Sequence, residues 1–162
     1  MSTYGDPDAE VVVHPHFDEC VGCGPKNSGG LKLQIHQGSD GLCRTLFRVS
    51  AEHQGPPRVA HGGILALALD ELLGTAAYQG LGRMLVTEHL QVWYRKPTPV
   101  GALVYAMARL KQVDGHKAHL VGEARLNAPD GTIAAQAAAT VVLLSHERYH
   151  ALSGPPEAAS GS

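Results

Sequence analysis

The sequence predicts a single α+β domain in which one long helix packs against an antiparallel sheet. Three observations support this prediction: a length of 162 residues, one long apolar run that follows a diglycine, and short alternating segments between turn signals. A chain of this length can bury a core without disulfide staples. The predicted elements come in the order of two strands, one helix and four strands.

Turn-forming residues mark the ends of the predicted strands. Glycine, proline and aspartate cluster at 38–41, 114–115 and 129–131, and a longer loop covers 53–60. Small and apolar residues alternate with polar ones between the last two turns, which is typical of a sheet with one solvent-facing side. The predicted strands cover residues 31–37, 42–50, 85–95, 102–112, 116–127 and 132–144.

The last predicted strand contains an alanine-rich segment, 133–139, whose intrinsic propensity favours a helix. This segment follows a Pro-Asp-Gly turn and continues into a β-favouring run of threonine, valine and leucine. We therefore predict a strand. Its small side chains would let the helix lie close to the sheet, which gives alanine a packing role in a strand.

Composition and charge narrow the class of partner. The net charge is −2, with no block of like charge, so no footprint for nucleic acid or an anionic membrane is expected and a small molecule is favoured. No long apolar segment or signal core is found, and the three cysteines suit reduced thiols, which indicates a cytoplasmic protein. We predict one domain over 11–150, a flexible N-terminus at 1–10 and a disordered tail at 151–162.

The helix, predicted from Gly62 to about Leu81, carries the most informative residues. Gly62 and Gly63 leave its first backbone N–H groups accessible, and those groups stabilise an oxyanion because they are unpaired and lie at the positive end of the helix dipole. Asp70 lies within an apolar run, where desolvation would raise its pKa and prepare it as a base or nucleophile. The alternative is a tight turn at the glycines and a solvated helix edge at Asp70 and Glu71.

Several motifs in register resemble those of one family. They are His61-Gly62-Gly63 with Asp70 nine residues after the histidine, Thr87 at the start of the next strand, Arg95-Lys96-Pro97 followed by Gly101, and Cys20-Val-Gly-Cys-Gly-Pro-Lys-Asn27. Over roughly residues 20–144 the chain resembles hotdog-fold acyl-CoA thioesterases of the phenylacetate-pathway type. The resemblance implies one long central helix wrapped by a curved antiparallel sheet of about five to six strands. It also implies hydrolysis of an acyl thioester of CoA or of an acyl-carrier protein, without a cofactor.

The resemblance also assigns roles to residues. Asp70 would be the base or nucleophile, and Gly62 would supply the oxyanion N–H. Thr87 would orient the attacking water, and Gln54 would hold the thioester carbonyl or the water. His61 would orient the loop or touch the thioester; alternatively, it only satisfies backbone groups at the helix start.

Four further residues are candidates for contact with the CoA moiety. Gly63 belongs to the same diglycine, while Arg58, Arg95 and Lys96 could meet the phosphates as exposed cations. Isolated cations at strand ends are, alternatively, simply solvated. Trp93 and Tyr94 are interpreted as strand packing rather than as an aromatic substrate site.

The spacing of Gly62 and Asp70 predicts an oligomer. Eight residues of helix separate their backbones by roughly 12 Å, more than one reacting carbonyl can bridge. A two-fold dimer, and beyond it a dimer of dimers, would place the glycines of one subunit beside Asp70 of the other. The alternative function is a hotdog module that binds or senses acyl-CoA without turnover.

A zinc site is the remaining possibility that the sequence raises. His14, His16, Cys20 and Cys23 supply enough nitrogen and sulfur ligands for a tetrahedral ion. One Cys-x-x-Cys without a second pair also suits a tight structural turn, because glycines and a proline surround it. We therefore predict no metal.

Overall fold

The computed structural model describes residues 11–13 and 17–154. Its strands are β1 (Val11–Val13), β2 (Ile35–Gln37), β3 (Cys43–Arg48), β4 (Leu85–Tyr94), β5 (Leu103–Asp114), β6 (Lys117–Leu126) and β7 (Ile133–Leu143). Two α-helices are present in this part of the chain, α1 (Gly62–Leu81) and α2 (His146–Ser153), with a 3-10 turn at Ala51–His53. None of the described helices is long and apolar enough to cross a membrane.

All described strands belong to one antiparallel sheet. The strand order is β1-β2-β3-β5-β6-β7-β4, and every neighbouring pair runs antiparallel. The sheet has seven strands, one more than the upper expectation, because β1 adds to β2 at one edge. β4 forms the other edge, pairs only with β7, and carries a register shift between Thr87 and His89.

Helix α1 lies across the sheet and buries one side of its surface. Its fully buried side chains are mostly leucine and alanine, while Asp70, Glu71 and Gly74 lie half-buried on the other side. The opposing strands present small residues to the helix: Ala106, Ala108, Ala118, Gly122, Ala124, Ala137 and Ala139. The alanine-rich segment is therefore the strand that was predicted, and its small side chains allow close approach of the helix.

The largest differences from the predicted elements lie near the ends of the chain. The predicted strand over 31–37 is shortened to β2 because the Leu31 and Leu33 N–H groups donate to the carbonyls of Val21 and Gly22, and Lys32 adopts a φ of 50°. Two elements were not predicted, β1 and α2. Ser145 caps α2 by accepting from the Arg148 N–H, and the helix crosses the predicted domain boundary at residue 150.

Candidate active site

Asp70 and Thr87 meet where α1 passes the start of β4. The Thr87 hydroxyl donates to Asp70 Oδ1 at 2.9 Å. Desolvation raises the pKa of Asp70, the hydrogen bond from Thr87 partly offsets this by lowering the pKa, and the charge of Glu71 raises it further. Sequence reasoning expected an aspartate in a dry environment, and the structure gives a half-buried one with an oriented hydroxyl beside it.

A cavity of about 240 Å³ opens beside this pair. Phe17 and Tyr149 stand with their ring centroids 6.4 Å apart and close one side of it, so the segment before β2 and helix α2 both contribute to the wall. The lining is mainly apolar and aromatic and consists of Phe17, Cys20, Asp70, Glu71, Gly74, Thr75, Tyr78, Met84, Leu85, Thr87 and Tyr149. We call this space the carboxylate cavity.

In the first turn of α1, one backbone N–H group has a hydrogen-bond acceptor and another does not. His61 is the N-cap, and its Nδ1 accepts from the Gly63 N–H at 2.9 Å. The Gly62 N–H has no acceptor among the described residues, while the Gly62 carbonyl accepts from the Tyr94 hydroxyl at 2.7 Å. Gly62 therefore offers a bare donor at the positive end of the helix, whereas Gly63 does not.

A second cavity, of about 280 Å³, surrounds Gly62. Its lining residues are Val59, Ala60, Gly62, Leu65, Tyr94, Arg95, Lys96, Pro97 and Thr98. The structure thus brings Arg95 and Lys96 to the same space as Gly62, although Arg95 Nε also donates to Gln136 at 3.0 Å. We call this space the glycine cavity.

Gln54 and Arg58 lie in the exposed loop before α1 and line neither cavity. The Gln54 side-chain carbonyl accepts from the Arg58 N–H at 2.8 Å, and this bond holds Arg58 at a positive φ of 65°. The loop is attached to the helix start, because the His61 N–H donates to the His53 carbonyl. Because the side-chain oxygen of Gln54 is engaged in this bond, its amide nitrogen is the group left to contact a substrate or a water molecule.

Tyr94 is the site residue that sequence reasoning missed. Its side chain is 53% exposed, and Trp93 beside it is 38% exposed, so neither is a packed strand residue within one chain. A Cβ added to Gly62 would lie 3.3 Å from the Tyr94 ring and hydroxyl, which shows how closely the tyrosine covers the helix start. Its position directly before the Arg95-Lys96-Pro97 motif is the signal that could have identified it.

A third and larger cavity, of about 790 Å³, lies on the sheet face that points away from α1. Its two carboxylates are both paired with arginine, Asp40 with Arg44 and Glu123 with Arg125. Arg44 lowers the pKa of Asp40, which makes this carboxylate a poor base, and Glu123 is held in its ion pair with Arg125. The candidate chemistry therefore stays with the carboxylate cavity and the glycine cavity.

Comparison with known proteins shows similarity to thioesterases. The model of the thioesterase superfamily matches residues 58–130, which cover α1 and β4 to β6. Acyl-coenzyme A thioesterase THEM4 of Xenopus laevis is 32% identical over 72 residues, which are 44% of this chain and 32% of the relative. The match thus spans about a third of that relative's length.

Solved structures share the fold over a longer range. The crystal structure of a thioesterase superfamily protein has a TM-score of 0.72 and 31% identity, and the match covers 77% of this chain and 60% of that one. An acyl-CoA hydrolase of Staphylococcus aureus, solved with butyryl-CoA and CoA, has a TM-score of 0.64 at 22% identity, covering 67% of this chain and 69% of that chain. The shared architecture confirms the predicted fold: this chain has the hotdog fold, and its residues 58–130 are similar to the thioesterase superfamily.

Proposed function

We propose that this protein hydrolyses acyl thioesters, with acyl-CoA as the first substrate class and acyl-carrier protein as the second. The observation that carries the proposal is the half-buried Asp70, hydrogen-bonded to Thr87 in an apolar cavity that can receive an acyl group. The relative from Xenopus laevis is named an acyl-CoA thioesterase, and the Staphylococcus aureus structure is of an acyl-CoA hydrolase with bound CoA, which supports the same substrate class. The likeness to the phenylacetate-pathway subgroup remains a prediction.

Each group has one task in the proposed reaction. The Gly62 N–H polarises the thioester carbonyl and stabilises the oxyanion that forms there. Asp70 either deprotonates a water molecule that Thr87 orients, or attacks the carbonyl to form an anhydride that water then cleaves. The leaving thiolate is weakly basic, so no strong general acid is needed. Arg95 and Lys96 lie in the glycine cavity, where the CoA phosphates would approach.

The donor and the carboxylate come from two copies of the chain in this proposal. Gly62 and Asp70 lie on one helix in separate cavities, roughly 12 Å apart along the helix axis, beyond the reach of one carbonyl. A two-fold axis that runs beside α1 brings the glycine cavity of one copy to the carboxylate cavity of the other. The same axis creates two equivalent sites, and a dimer of dimers remains an extension of this assembly.

The edge strand β4 supports a second copy as the partner. β4 is ten residues long, has only β7 as a neighbour among the described strands, and exposes Val86, Trp93 and Tyr94 by 38–53%. A long exposed edge with apolar side chains promotes uncontrolled association unless another strand covers it. Pairing of β4 with its own symmetry copy satisfies the edge and lies next to both Thr87 and Tyr94.

A mixing experiment tests the shared site. Asp70→Asn chains lack the carboxylate and Gly62→Pro chains lack the N–H donor, so each is expected to be nearly inactive alone; the two are unfolded and refolded together at equal concentrations. Half of the dimers then combine the two variants and each carries one intact site, so about a quarter of the wild-type rate returns. No recovery in dimers that are shown to be mixed by mass spectrometry contradicts a shared site.

The activity itself is tested by release of free thiol from a panel of acyl-CoA esters and one acyl-carrier thioester. We expect turnover that depends on Asp70. Saturable binding of acyl-CoA without thiol release would instead indicate a module that binds or senses the ester. An Asp70→Asn variant that hydrolyses as fast as the parent protein refutes the assigned base or nucleophile.

A further inference from the structure

Two cysteines and a glutamate meet beside the carboxylate cavity without any role in the proposed hydrolysis. One ligand atom each from Cys20, Cys23 and Glu71 lies within 4.8 Å of the other two. Cys20 Sγ donates to Glu71 Oε2 at 3.4 Å. Glu71 follows Asp70 on α1 but points to the segment before β2, whereas Asp70 points to β4.

The loop over residues 20–24 is built around the sulfur of Cys20. The Gly22 N–H donates to Cys20 Sγ at 3.3 Å, and the Gly24 N–H donates to the Cys20 carbonyl at 2.8 Å. These two hydrogen bonds fix the Cys20 sulfur and the backbone around it. The Cys-x-x-Cys-Gly turn therefore presents two sulfur atoms on one side of a backbone loop that is held by hydrogen bonds.

Gly22 is what allows the carboxylate to approach this loop. A Cβ at this position would lie 2.5 Å from Glu71 Oε2, closer than real Cβ contacts come. The loop is also tied to the chain before β2, because Leu31 and Leu33 donate to the carbonyls of Val21 and Gly22. Helix α1 and the loop are thus positioned independently. Their contact at Glu71 depends on the absence of a side chain at Gly22.

We propose that Cys20, Cys23 and Glu71 form a binding site for one zinc ion, with a fourth position taken by water or a small anion. Two thiolates and a carboxylate form a ligand set that zinc accepts in tetrahedral geometry, at ~2.3 Å to sulfur and ~2.0–2.2 Å to oxygen. These bonds require the three ligand atoms to draw together by only about 1 Å from their present spacing. Thiolate ligands select zinc over magnesium or calcium, which prefer oxygen.

The proposed ligand set differs from the two histidines and two cysteines that the sequence suggested. His14 and His16 lie outside the described residues, and Glu71 belongs to the helix, 48 residues after Cys23 in the chain. The proposed ion therefore joins α1 to the segment before β2 and fixes the wall of the carboxylate cavity that Cys20 lines. Its role is structural, and the site does not depend on the proposed hydrolysis.

The test is a titration of the reduced, full-length protein with Co²⁺, whose absorption reports ligand type, followed by displacement with Zn²⁺. We expect one Co²⁺ per chain, a sulfur-to-cobalt charge-transfer band with the intensity of two thiolates, and loss of the band on adding Zn²⁺. Cys20→Ser and Cys23→Ser should each weaken binding by more than the ~10–100-fold that loss of an outer-shell partner costs, and Glu71→Gln by at least ~10-fold.

Cys43→Ala is the matched control, because Cys43 is the third cysteine and is fully buried in β3. Burial raises the pKa of its thiol to about 11, so this thiol is no ligand at neutral pH. The control should bind Co²⁺ as the wild type does. The proposal is overturned if the wild type, with three thiols confirmed by thiol assay, shows no charge-transfer band, or if Cys20→Ser or Glu71→Gln binds with unchanged affinity. The wild-type spectrum alone decides the matter if a variant fails to fold.

Discussion

The carboxylate cavity and the glycine cavity lie along the same helix and have opposite character. The first is lined by apolar and aromatic side chains around Asp70, and desolvation there raises the pKa of the carboxyl group. The second holds a bare backbone donor at Gly62, with Arg95 and Lys96 beside it. The carboxylate cavity favours the neutral form of the weakly solvated Asp70 carboxyl group, whereas the glycine cavity favours a negative charge.

Separation of the two groups has a physical benefit. If the Gly62 N–H lay beside Asp70 in one chain, it would donate to the carboxylate, lower its pKa and no longer be available for an oxyanion. Eight residues of helix prevent that pairing. In the proposed dimer, a second copy supplies the missing half of each site, and the two groups meet there across the substrate.

The largest expected effect comes from Asp70→Asn, which removes the base or nucleophile and keeps the shape of the side chain. The kcat should fall by ~10²–10⁴-fold, the range for a positioned acid or base. Thiol release under saturating substrate measures this, with Asp114→Asn at the exposed end of β5 as the control. A decrease in kcat of less than 10-fold would contradict a direct role of Asp70 in the reaction.

The same variant should be at least as stable as the wild type at neutral pH. Because the folded pKa of Asp70 lies above its ordinary value of 3.8, the wild type loses stability as pH rises from that value through the folded pKa. The asparagine variant does not titrate there. Thermal unfolding should therefore show a higher Tm for the variant at pH 7 and no difference below pH 3.8.

The next largest effect is expected for Gly62→Pro, which deletes the bare N–H and little else. Proline is tolerated at the first position of a helix, and His61 before it already has the φ of −62° and ψ of 135° that a following proline requires. We expect kcat to fall by ~10²–10³-fold, as for loss of an oxyanion donor. Gly62→Ala retains the N–H and has the same crowding against Tyr94, so equal losses in the two variants contradict the oxyanion assignment.

A smaller effect is expected for Thr87→Val, which tests how the carboxylate is oriented. Removal of a hydrogen bond to a charged group should lower kcat by about 10-fold. Because the Thr87 hydroxyl lowers the pKa of Asp70, its loss should also move the acidic limb of the kcat–pH profile to higher pH. Thr87→Ser should restore both quantities; a profile that does not move in the valine variant argues against the contact in solution.

The smallest effect is expected for Tyr94→Phe. Its hydroxyl donates to the Gly62 carbonyl from an exposed position, and a bond of this kind contributes about 1 kcal/mol, or less than about 10-fold in rate. The change should appear in kcat/KM, measured with one acyl-CoA ester. A loss as large as that of Gly62→Pro would move Tyr94 from a positioning role to direct contact with the oxyanion.

The interior of the fold was largely predictable because each element there follows its own local pattern. Helix α1 begins at the predicted glycine and ends at Leu81, where Gly82 takes a left-handed conformation with a φ of 62°. The alanine strand β7 was identified from its turn and its continuation, against its helical propensity. These signals lie within a few residues of the element that they define.

The unpredicted parts depend on contacts between distant segments. β2 is shorter than predicted because Leu31 and Leu33, which precede it, donate to the loop over residues 20–24, and Glu71 reaches that loop only because Gly22 lacks a side chain. The hydrogen bond between Tyr94 and Gly62 joins residues 32 positions apart. Neither hydrophobic periodicity nor intrinsic propensity encodes contacts between residues that are far apart in the chain. The sequence therefore predicted the catalytic candidates but not the contacts that support them.

The small residues beneath α1 act as a spacer that sets the height of the helix above the sheet. A Cβ on Gly122 would already lie 3.4 Å from the Leu73 side chain, and Ala137 and Ala139 are buried in the same core. A bulkier residue here must lift the helix, and a lift of 1 Å would break the 2.9 Å contact between Asp70 and Thr87. The small size of these residues therefore sets the alignment of Asp70 and Thr87, the two groups at the centre of the proposed reaction.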